Sequence, residues 1–134
     1  MLFSSLDLAP EIQQALDDCG YRQMTEIQQQ AIIPARKGRD ILANAQTGTG
    51  KTAAFALPLL QQMHDRPKPT LTGTPRALIL TPTRELALQI DEQALALGYH
   101  AGLSSVAVIG GVKMGPQEEA IKAGAEIMVA TPGR

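Results

Sequence analysis

The sequence predicts an α/β fold built on a parallel sheet, and three observations lead to that prediction. From residue 40 onward, four short apolar runs of strand length alternate with helical patterns. A glycine-rich loop joins the first of these runs to the helix that follows it, and two more helical patterns precede that run. Strands that alternate with helices need crossover connections, so we expect parallel strands with helices on both faces of the sheet.

The first two helices are predicted from their apolar spacing and from the residues at their ends. In the helix predicted over residues 10–19, Pro10 suits the first helical position and Gly20 the position after the end. Its apolar side chains recur on one face, at Ile12, Ala15, Leu16 and Cys19. A second helix is predicted to start near Thr25 and to end at Gly38. Both lie in front of the α/β core.

The remaining elements follow in strict alternation. Strands are predicted where Ile, Leu or Val predominate, over residues 40–44, 76–80, 105–109 and 126–130. Helices are predicted between them, over residues 52–63, 85–97 and 116–123. The segment 64–75 contains three prolines and few apolar side chains, so it is predicted to be a surface loop.

Composition restricts the function classes. The chain has 134 residues, of which 44% are hydrophobic and 19% charged, as expected for one globular domain. A net charge of −1 and an aromatic content of 3% argue against a protein that holds nucleic acid by a strong basic field or by stacking bases in series. We therefore expect any nucleic-acid contact to be local and to involve the phosphate backbone.

The compartment and metal content are predicted from what the sequence lacks. The first residues show no basic and apolar signal pattern, and no apolar run approaches membrane-spanning length, so we expect a cytoplasmic protein without membrane contact. A single cysteine, Cys19, cannot form an internal disulfide. Neither His64 nor His100 lies in a cluster with metal-ligand spacing, so a metal site built by the protein alone is not expected.

The glycine-rich loop fits the phosphate-binding pattern G-x-x-x-x-G-K-[ST], with alanine at the leading position. It consists of Ala45, Gln46, Thr47, Gly48, Thr49, Gly50, Lys51 and Thr52. Gly48 and Gly50 let consecutive N–H groups turn toward an anion, Lys51 can reach the β- and γ-phosphates, and Thr52 offers a hydroxyl ligand for Mg²⁺. The alternative is a Gly/Thr-rich turn that happens to contain lysine. The strand before the loop and the helix after it favour nucleotide binding.

Five motifs in series carry a family resemblance. They are Gly20-Tyr21-Arg22-Gln23-Met24-Thr25-Glu26-Ile27-Gln28, the phosphate loop, Pro82-Thr83-Arg84-Glu85-Leu86-Ala87, Gly110-Gly111 and Thr131-Pro132-Gly133-Arg134. In order and spacing the chain resembles the first domain of DEAD-box RNA helicases of bacterial type, from about Phe3 to its last residue. The resemblance implies a P-loop NTPase, RecA-like, three-layer core preceded by two helices. It divides the chain into a Q-motif helical region, 1–38, and a partial ATP-binding domain, 39–134.

The resemblance also implies ligands. The family binds ATP or ADP with Mg²⁺, and Lys51 and Thr52 take catalytic positions in its phosphate loop. Gln28 resembles the glutamine that reads the adenine edge, and an aromatic side chain, Phe3 or Tyr21, would stack on the base or support Gln28. From their spacing alone, Thr25 and Gln28 fit a capping box at a helix start, which is the structural alternative. The family commonly has prolines where this chain has Met24 and Glu26, which loosens the turn.

The other three motifs imply binding of single-stranded or duplex RNA through its backbone. The residues concerned are Pro82, Thr83, Arg84, Gly110, Gly111, Thr131, Pro132, Gly133 and Arg134. Each motif follows the carboxyl end of a predicted strand, which is the ligand-binding edge of an open parallel sheet. Each also has a structural alternative: helix caps at Thr83 and at Thr131-Pro132, a solvated charge at Arg84, and a flexible strand end at the glycines.

The resemblance implies parts that this sequence lacks. The Asp-Glu-Ala-Asp motif would lie beyond Arg134, as would the second RecA-like domain. The Asp-Glu pair Asp91-Glu92 lies in a predicted amphipathic helix and is interpreted as a solvated face. We therefore expect a helicase portion that does not by itself unwind or remodel short RNA duplexes, has negligible ATPase activity, and self-associates through an open sheet edge. A non-catalytic P-loop nucleotide-binding or interaction module is the alternative; a small P-loop kinase is weaker because no arginine-rich lid is visible.

Overall fold

The computed structural model describes residues 1–67 and 73–134. Within these ranges the chain forms helices and short strands in the order that follows. They are a 3-10 turn (Phe3–Ser5), α1 (Pro10–Asp18), α2 (Glu26–Arg36), α3 (Lys51–Asp65), β1 (Ala77–Leu80), α4 (Arg84–Gly98), β2 (Ser105–Val108), α5 (Met114–Lys122) and β3 (Ile127–Ala130). The five predicted helices and three of the four predicted strands are confirmed to within two residues at each end. The predicted loop over 64–75 begins two residues late, because α3 extends to Asp65, and part of it lies outside the described residues.

The described residues form two compact units. One comprises residues 1–67 together with 96–101, and the other comprises 73–95 and 102–134. The predicted division into 1–38 and 39–134 stays a prediction.

The helical unit is built on local end signals and one apolar core. Pro10 occupies the first turn of α1, and Ile12, Ala15 and Leu16 are buried as their spacing predicts. Cys19 departs from that prediction: it is the C-cap residue of α1 and is exposed. The helix ends one residue too early for its side chain to continue the apolar stripe.

Helices α2 and α3 make the main contact of this unit. Thr25 caps α2, and the capping box with Gln28 is complete on both sides. The largest fully buried apolar side chains of this unit are Phe3, Ile12, Leu16, Ile32, Leu57, Leu60 and Leu97. Burying side chains of this size stabilises a fold by about 1.5–3 kcal/mol each.

The second unit contains a three-stranded parallel sheet in the order β1-β3-β2. The last strand in sequence lies in the middle, where Ile127 is level with Ala77 on one side and with Ser105 on the other. A core cluster of this unit consists of Val106, Val108, Ala125 and Ala130. Ala120 and Ile121 of α5 pack against it. The carboxyl ends of all three strands therefore lie at one edge, as parallel pairing requires.

The predicted strand over residues 40–44 is wrong. These residues adopt no regular structure, and their side chains are exposed, with Leu42 at its full reference area. A strand needs a neighbour that completes its backbone hydrogen bonds, and no strand among the described residues pairs with this segment. The apolar run matched a strand in composition, but its pairing could not be read from the run itself.

The interpretation of Asp91-Glu92 as a solvated pair is correct only for Glu92, which is exposed. Asp91 is half-buried and accepts a hydrogen bond from the Ser105 hydroxyl. Burial raises the pKa of the Asp91 carboxyl, and the Ser105 hydrogen bond opposes that rise. Asp91 thus ties α4 to the start of β2.

Candidate nucleotide and RNA sites

The glycine-rich loop is a tight turn that leads directly into α3. Gly48 and Gly50 have φ values of +84° and +81°, in the left-handed region that glycine adopts without steric cost. Thr49 closes the turn by donating its hydroxyl to the Gln46 carbonyl at 2.6 Å. Helix α3 then begins at Lys51, so the loop ends where a helix N-terminus offers unpaired N–H groups and a positive dipole.

Lys51 and Thr52 occupy the first turn of α3. The Lys51 side chain is exposed and turns back over the loop, where Nζ donates to the Ala45 carbonyl at 2.6 Å. An ammonium group has three donors, so two remain for other acceptors. The arrangement places a cation and a hydroxyl-bearing residue beside a curled backbone, which is the chemistry that phosphate and Mg²⁺ require.

Gln28 connects α2 to the glycine-rich loop. Its side chain is almost fully buried, accepts from the Thr25 N–H at 2.9 Å and donates from Nε2 to the Gly50 carbonyl at 3.1 Å. The Thr25 hydroxyl donates to the Thr49 carbonyl at 2.7 Å. The capping box is therefore present, and the same two residues also hold the turn of the loop. Adenine reading by Gln28 stays a prediction.

The two predicted aromatic side chains differ in their access. Phe3 is fully buried, and its ring lies edge-on to Tyr21 with 5.7 Å between the ring centroids. Tyr21 is half-buried, and burial raises the pKa of its phenol. Phe3 thus supports Tyr21, and of the two only Tyr21 has a ring that a ligand could reach.

A cavity of about 500 Å³ lies between α2 and the glycine-rich loop. Its lining comes from the start of α2 and from the loop: Thr25, Glu26, Ile27, Gln30, Asn44, Ala45, Gln46, Gly48 and Thr49. Tyr21 lies elsewhere in the same unit, in a depression that it shares with Gln13, Asp17 and Arg22. The structure therefore brings the loop and the Thr25 cap together but not the predicted aromatic.

The second unit, which contains the sheet, brings together the protein residues that the sequence predicts to contact RNA. A depression of about 460 Å³ is lined by all of them except Pro132, namely by Pro82, Thr83, Arg84, Gly110, Gly111, Thr131, Gly133 and Arg134. Glu85 also lines it and was missed, although it follows Arg84 in the same motif. The three motifs meet because each follows one of the three parallel strands at the same edge of the sheet.

Thr83 and Arg84 begin α4. The Thr83 hydroxyl accepts from the Leu86 N–H at 3.2 Å, so the helix-cap alternative is confirmed for Thr83. The Arg84 side chain is exposed and donates from Nη1 to the Gly110 carbonyl at 3.3 Å. Arg84 is thus an exposed charge that also contacts the loop carrying the two glycines. Whether it is only a solvated charge or a phosphate ligand stays a prediction.

The last motif forms a turn, in which the Arg134 N–H donates to the Thr131 carbonyl at 3.1 Å. The helix-cap alternative at Thr131-Pro132 stays a prediction. The Arg134 side chain donates from Nη2 to the Val112 carbonyl. Two arginines therefore converge on the carbonyls of one loop, where their remaining donors lie beside the depression.

Comparison with known proteins agrees with this geometry. The sequence profile of the DEAD/DEAH box helicases matches residues 25–134. The chain belongs to the DEAD/DEAH box helicase family. It is 47% identical over 132 residues to the ATP-dependent RNA helicase SrmB of Escherichia coli, covering 98% of this chain and 30% of that protein. It is 46% identical to the ATP-dependent RNA helicase eIF4A of Candida albicans, covering 98% and 32%.

Solved structures of the family agree as well. The RNA helicase Prp28 from Chaetomium thermophilum, solved bound to ADP, superposes with a TM-score of 0.86 at 42% identity, over 95% of this chain and 31% of that one. The α/β, RecA-like fold class is thereby confirmed. The chain spans about a third of the length of these DEAD-box relatives. No helix in the described ranges is long and apolar enough to cross a membrane.

Proposed function

We propose that this chain is the nucleotide-binding and RNA-binding portion of an ATP-dependent DEAD-box RNA helicase that remodels or unwinds short RNA duplexes. Its relatives carry the names of ATP-dependent RNA helicases. The observation that carries the RNA half of the proposal is the single depression formed by the ends of the three parallel strands, with Arg84 and Arg134 at its edge. Arginine side chains and helix N-termini are common phosphate ligands.

ATP or ADP is proposed as the nucleotide. The loop suits it because Gly48 and Gly50 have the backbone that a phosphate cradle needs and because Lys51 supplies a cation beside it. In this proposal the loop N–H groups and Lys51 hold the phosphates, and the Thr52 hydroxyl is a ligand of Mg²⁺. When bound, ATP supplies a γ-phosphoryl group, and the transfer of that group to water releases the free energy for remodelling. The solved relative bound to ADP supports this choice.

The first experiment measures binding of fluorescent ADP and GDP to the chain and to its Lys51→Ala and Gln28→Ala variants. We expect Lys51→Ala to lower the affinity for both nucleotides by about tenfold or more, since it removes a charge-assisted contact with the phosphates. Lys37→Ala is the control, because Lys37 is an exposed lysine of the same unit outside the loop. Equal affinity of Lys51→Ala and wild type would contradict the nucleotide site.

The same titration separates a second candidate, a non-catalytic P-loop nucleotide-binding or interaction module. One observation favours it: both polar groups of the Gln28 amide are already hydrogen-bonded within the protein. If ADP is preferred over GDP and Gln28→Ala removes the preference, Gln28 reads the base. If binding is base-blind, Gln28 has a structural role and the second candidate is favoured.

The RNA half is tested with fluorescently labelled single-stranded oligo(U). We expect Arg84→Ala and Arg134→Ala each to weaken binding by about fivefold to tenfold and to make its salt dependence shallower, because each removes a phosphate contact. Lys122→Ala is the control, since it removes an exposed cation of the same unit at the end of α5. Equal losses in all three variants would indicate a general charge effect and no site.

A further inference from the structure

A buried glutamine outside the family motifs contacts the loop that carries the two glycines. Gln117 lies in the first turns of α5 and is 6% exposed. Its Nε2 donates to the carbonyl of Ile109 at 3.1 Å, immediately before Gly110. Gln117 does not line the depression beside that loop, so its contact with this region is the bond to the loop backbone.

The direction of the Gln117 amide is unambiguous. Its Oε1 is buried and has no hydrogen-bond partner among the described residues. Turning the amide over would place that oxygen against the Ile109 carbonyl, and two acceptors repel each other. An unpaired buried acceptor costs stability. The Nε2 bond to Ile109 is made although Oε1 is left without a partner among the described residues.

The bond to Ile109 is one of three that hold the same loop. Three of the four carbonyls of residues 109–112 accept these bonds: that of Ile109 from Gln117, that of Gly110 from Arg84, and that of Val112 from Arg134. Gln117 is the buried and uncharged member of the three. It fixes the loop from inside the unit, whereas the two arginines approach from the side of the depression.

Gly111 shows how closely this loop fits Arg84. Its φ is +82°, and a Cβ built there would collide with Nη1 of Arg84. The guanidinium therefore lies directly against the loop backbone. A displacement of the loop must displace the guanidinium or break its bond to Gly110.

We propose that Gln117 is a positioning residue that fixes the 109–112 loop and, through it, the guanidinium of Arg84 for an RNA phosphate. The inference rests on the proposed RNA-binding function of the depression. Gln117 itself makes no contact with RNA. Its contribution is to hold Arg84 in the orientation that binding requires, so that less ordering occurs when the phosphate arrives.

The test compares Gln117→Leu with the wild-type chain in binding oligo(U) and fluorescent ADP. We expect oligo(U) affinity to fall by about fivefold, as for the loss of one buried hydrogen bond, while ADP affinity changes by less than about twofold. Gln61→Leu is the matched control, because Gln61 is also a 6% exposed glutamine but belongs to the helical unit. We expect that control to leave oligo(U) affinity unchanged.

A double-mutant cycle with Arg84→Ala distinguishes positioning from a general structural effect. If Gln117 acts through Arg84, Gln117→Leu has little further effect once Arg84 is alanine, and the two losses do not add. Additive losses would overturn the proposal, as would unchanged oligo(U) affinity in Gln117→Leu or an equal loss of ADP affinity. Gln117→Met preserves side-chain length and repeats the test if Gln117→Leu fails to fold.

The outcome also separates this inference from the function on which it rests. If the wild-type chain does not bind oligo(U), the proposed RNA-binding function fails and the positioning role fails with it. If the wild type binds, Arg84→Ala weakens binding and Gln117→Leu does not, only the positioning role is wrong.

Discussion

Gln28 shows how one side chain serves a helix and a loop at once. Its Oε1 completes the cap of α2, and its Nε2 reaches the Gly50 carbonyl across 22 residues of sequence. Because the side chain is 2% exposed, neither group can exchange its partner for bulk water without local rearrangement. The residue that the family resemblance assigns to base recognition is thus also a structural link to the phosphate loop.

Replacing Gln28 by alanine should therefore destabilise the chain. We expect the free energy of unfolding to fall by about 1–3 kcal/mol, since the Thr25 N–H loses its capping-box acceptor and the Gly50 carbonyl loses its donor. Chemical denaturation measures the change. Gln30→Ala is the control: Gln30 is exposed on the same helix, and its side chain donates to Glu26 one turn away, so its loss should cost less than about 0.5 kcal/mol. Equal effects would contradict the dual role of Gln28.

Asp18 supplies a prediction for pH dependence. Hydrogen bonds from His100 and then from Gln14 hold the pKa of the Asp18 carboxyl below its usual value of 3.8. A lowered pKa in the folded state stabilises the fold above pH 3.8, and that contribution is lost as the pH falls through the folded-state pKa. In an NMR titration, His100→Ala should raise the Asp18 pKa toward 3.8, and Gln14→Ala should raise it less. No change in His100→Ala would refute the assignment.

At the scale of elements, the glycine-rich loop is shaped by Gly48 and Gly50 and held by α2. Gly48 and Gly50 share a left-handed backbone, but their surroundings differ. A Cβ at Gly48 would meet nothing within 4 Å, whereas one at Gly50 would collide with the Gln28 amide. A side chain at Gly48 would therefore meet only the strain of the left-handed backbone, whereas one at Gly50 would also displace Gln28.

Alanine substitutions at the two glycines should separate these effects. Gly48→Ala should cost about 1–2 kcal/mol for the strained backbone alone. Gly50→Ala should cost more, because it also displaces Gln28. It should also lower the affinity for fluorescent ADP further than Gly48→Ala does. Thermal denaturation and ADP titration of both variants measure the two costs. A Gly48→Ala variant as destabilised as Gly50→Ala would contradict the contact with Gln28.

At the scale of the whole molecule, the sheet presents an open side. β1 pairs with β3 alone among the described strands, and its Leu78 and Leu80 are 60% and 62% exposed. A short strand with an unpaired edge and exposed leucines is a template for association. Self-association of the chain stays a prediction that this geometry supports.

Lysine substitutions on β1 test it. We expect sedimentation velocity to show concentration-dependent association of the wild-type chain, and Leu78→Lys with Leu80→Lys to reduce it, since charge on an edge strand opposes pairing. Leu88→Lys is the control, because Leu88 is a similarly exposed leucine on α4. A wild-type chain that remains monomeric at high concentration would contradict the prediction.

The five helices, three of the strands and the tight turn of the glycine-rich loop could be predicted from the sequence, because their signals are local. Pro10 starts a helix, Thr25 and Gln28 cap one, and Gly48 and Gly50 shape a turn, all through neighbours a few residues away. The alternation of strands and helices also placed three motifs at one sheet edge before their contacts were known.

Tertiary structure alone decided the matters that depend on distant partners. The apolar run at 40–44 has strand composition, yet strand pairing is non-local and the described residues supply no partner. The orientation of Arg84 depends on a carbonyl 26 residues away, and burial of Gln117 depends on how α5 packs beside β2. A residue's intrinsic preference acts over one turn of chain, whereas its hydrogen-bond partner and its exposure are set by whatever the fold brings beside it.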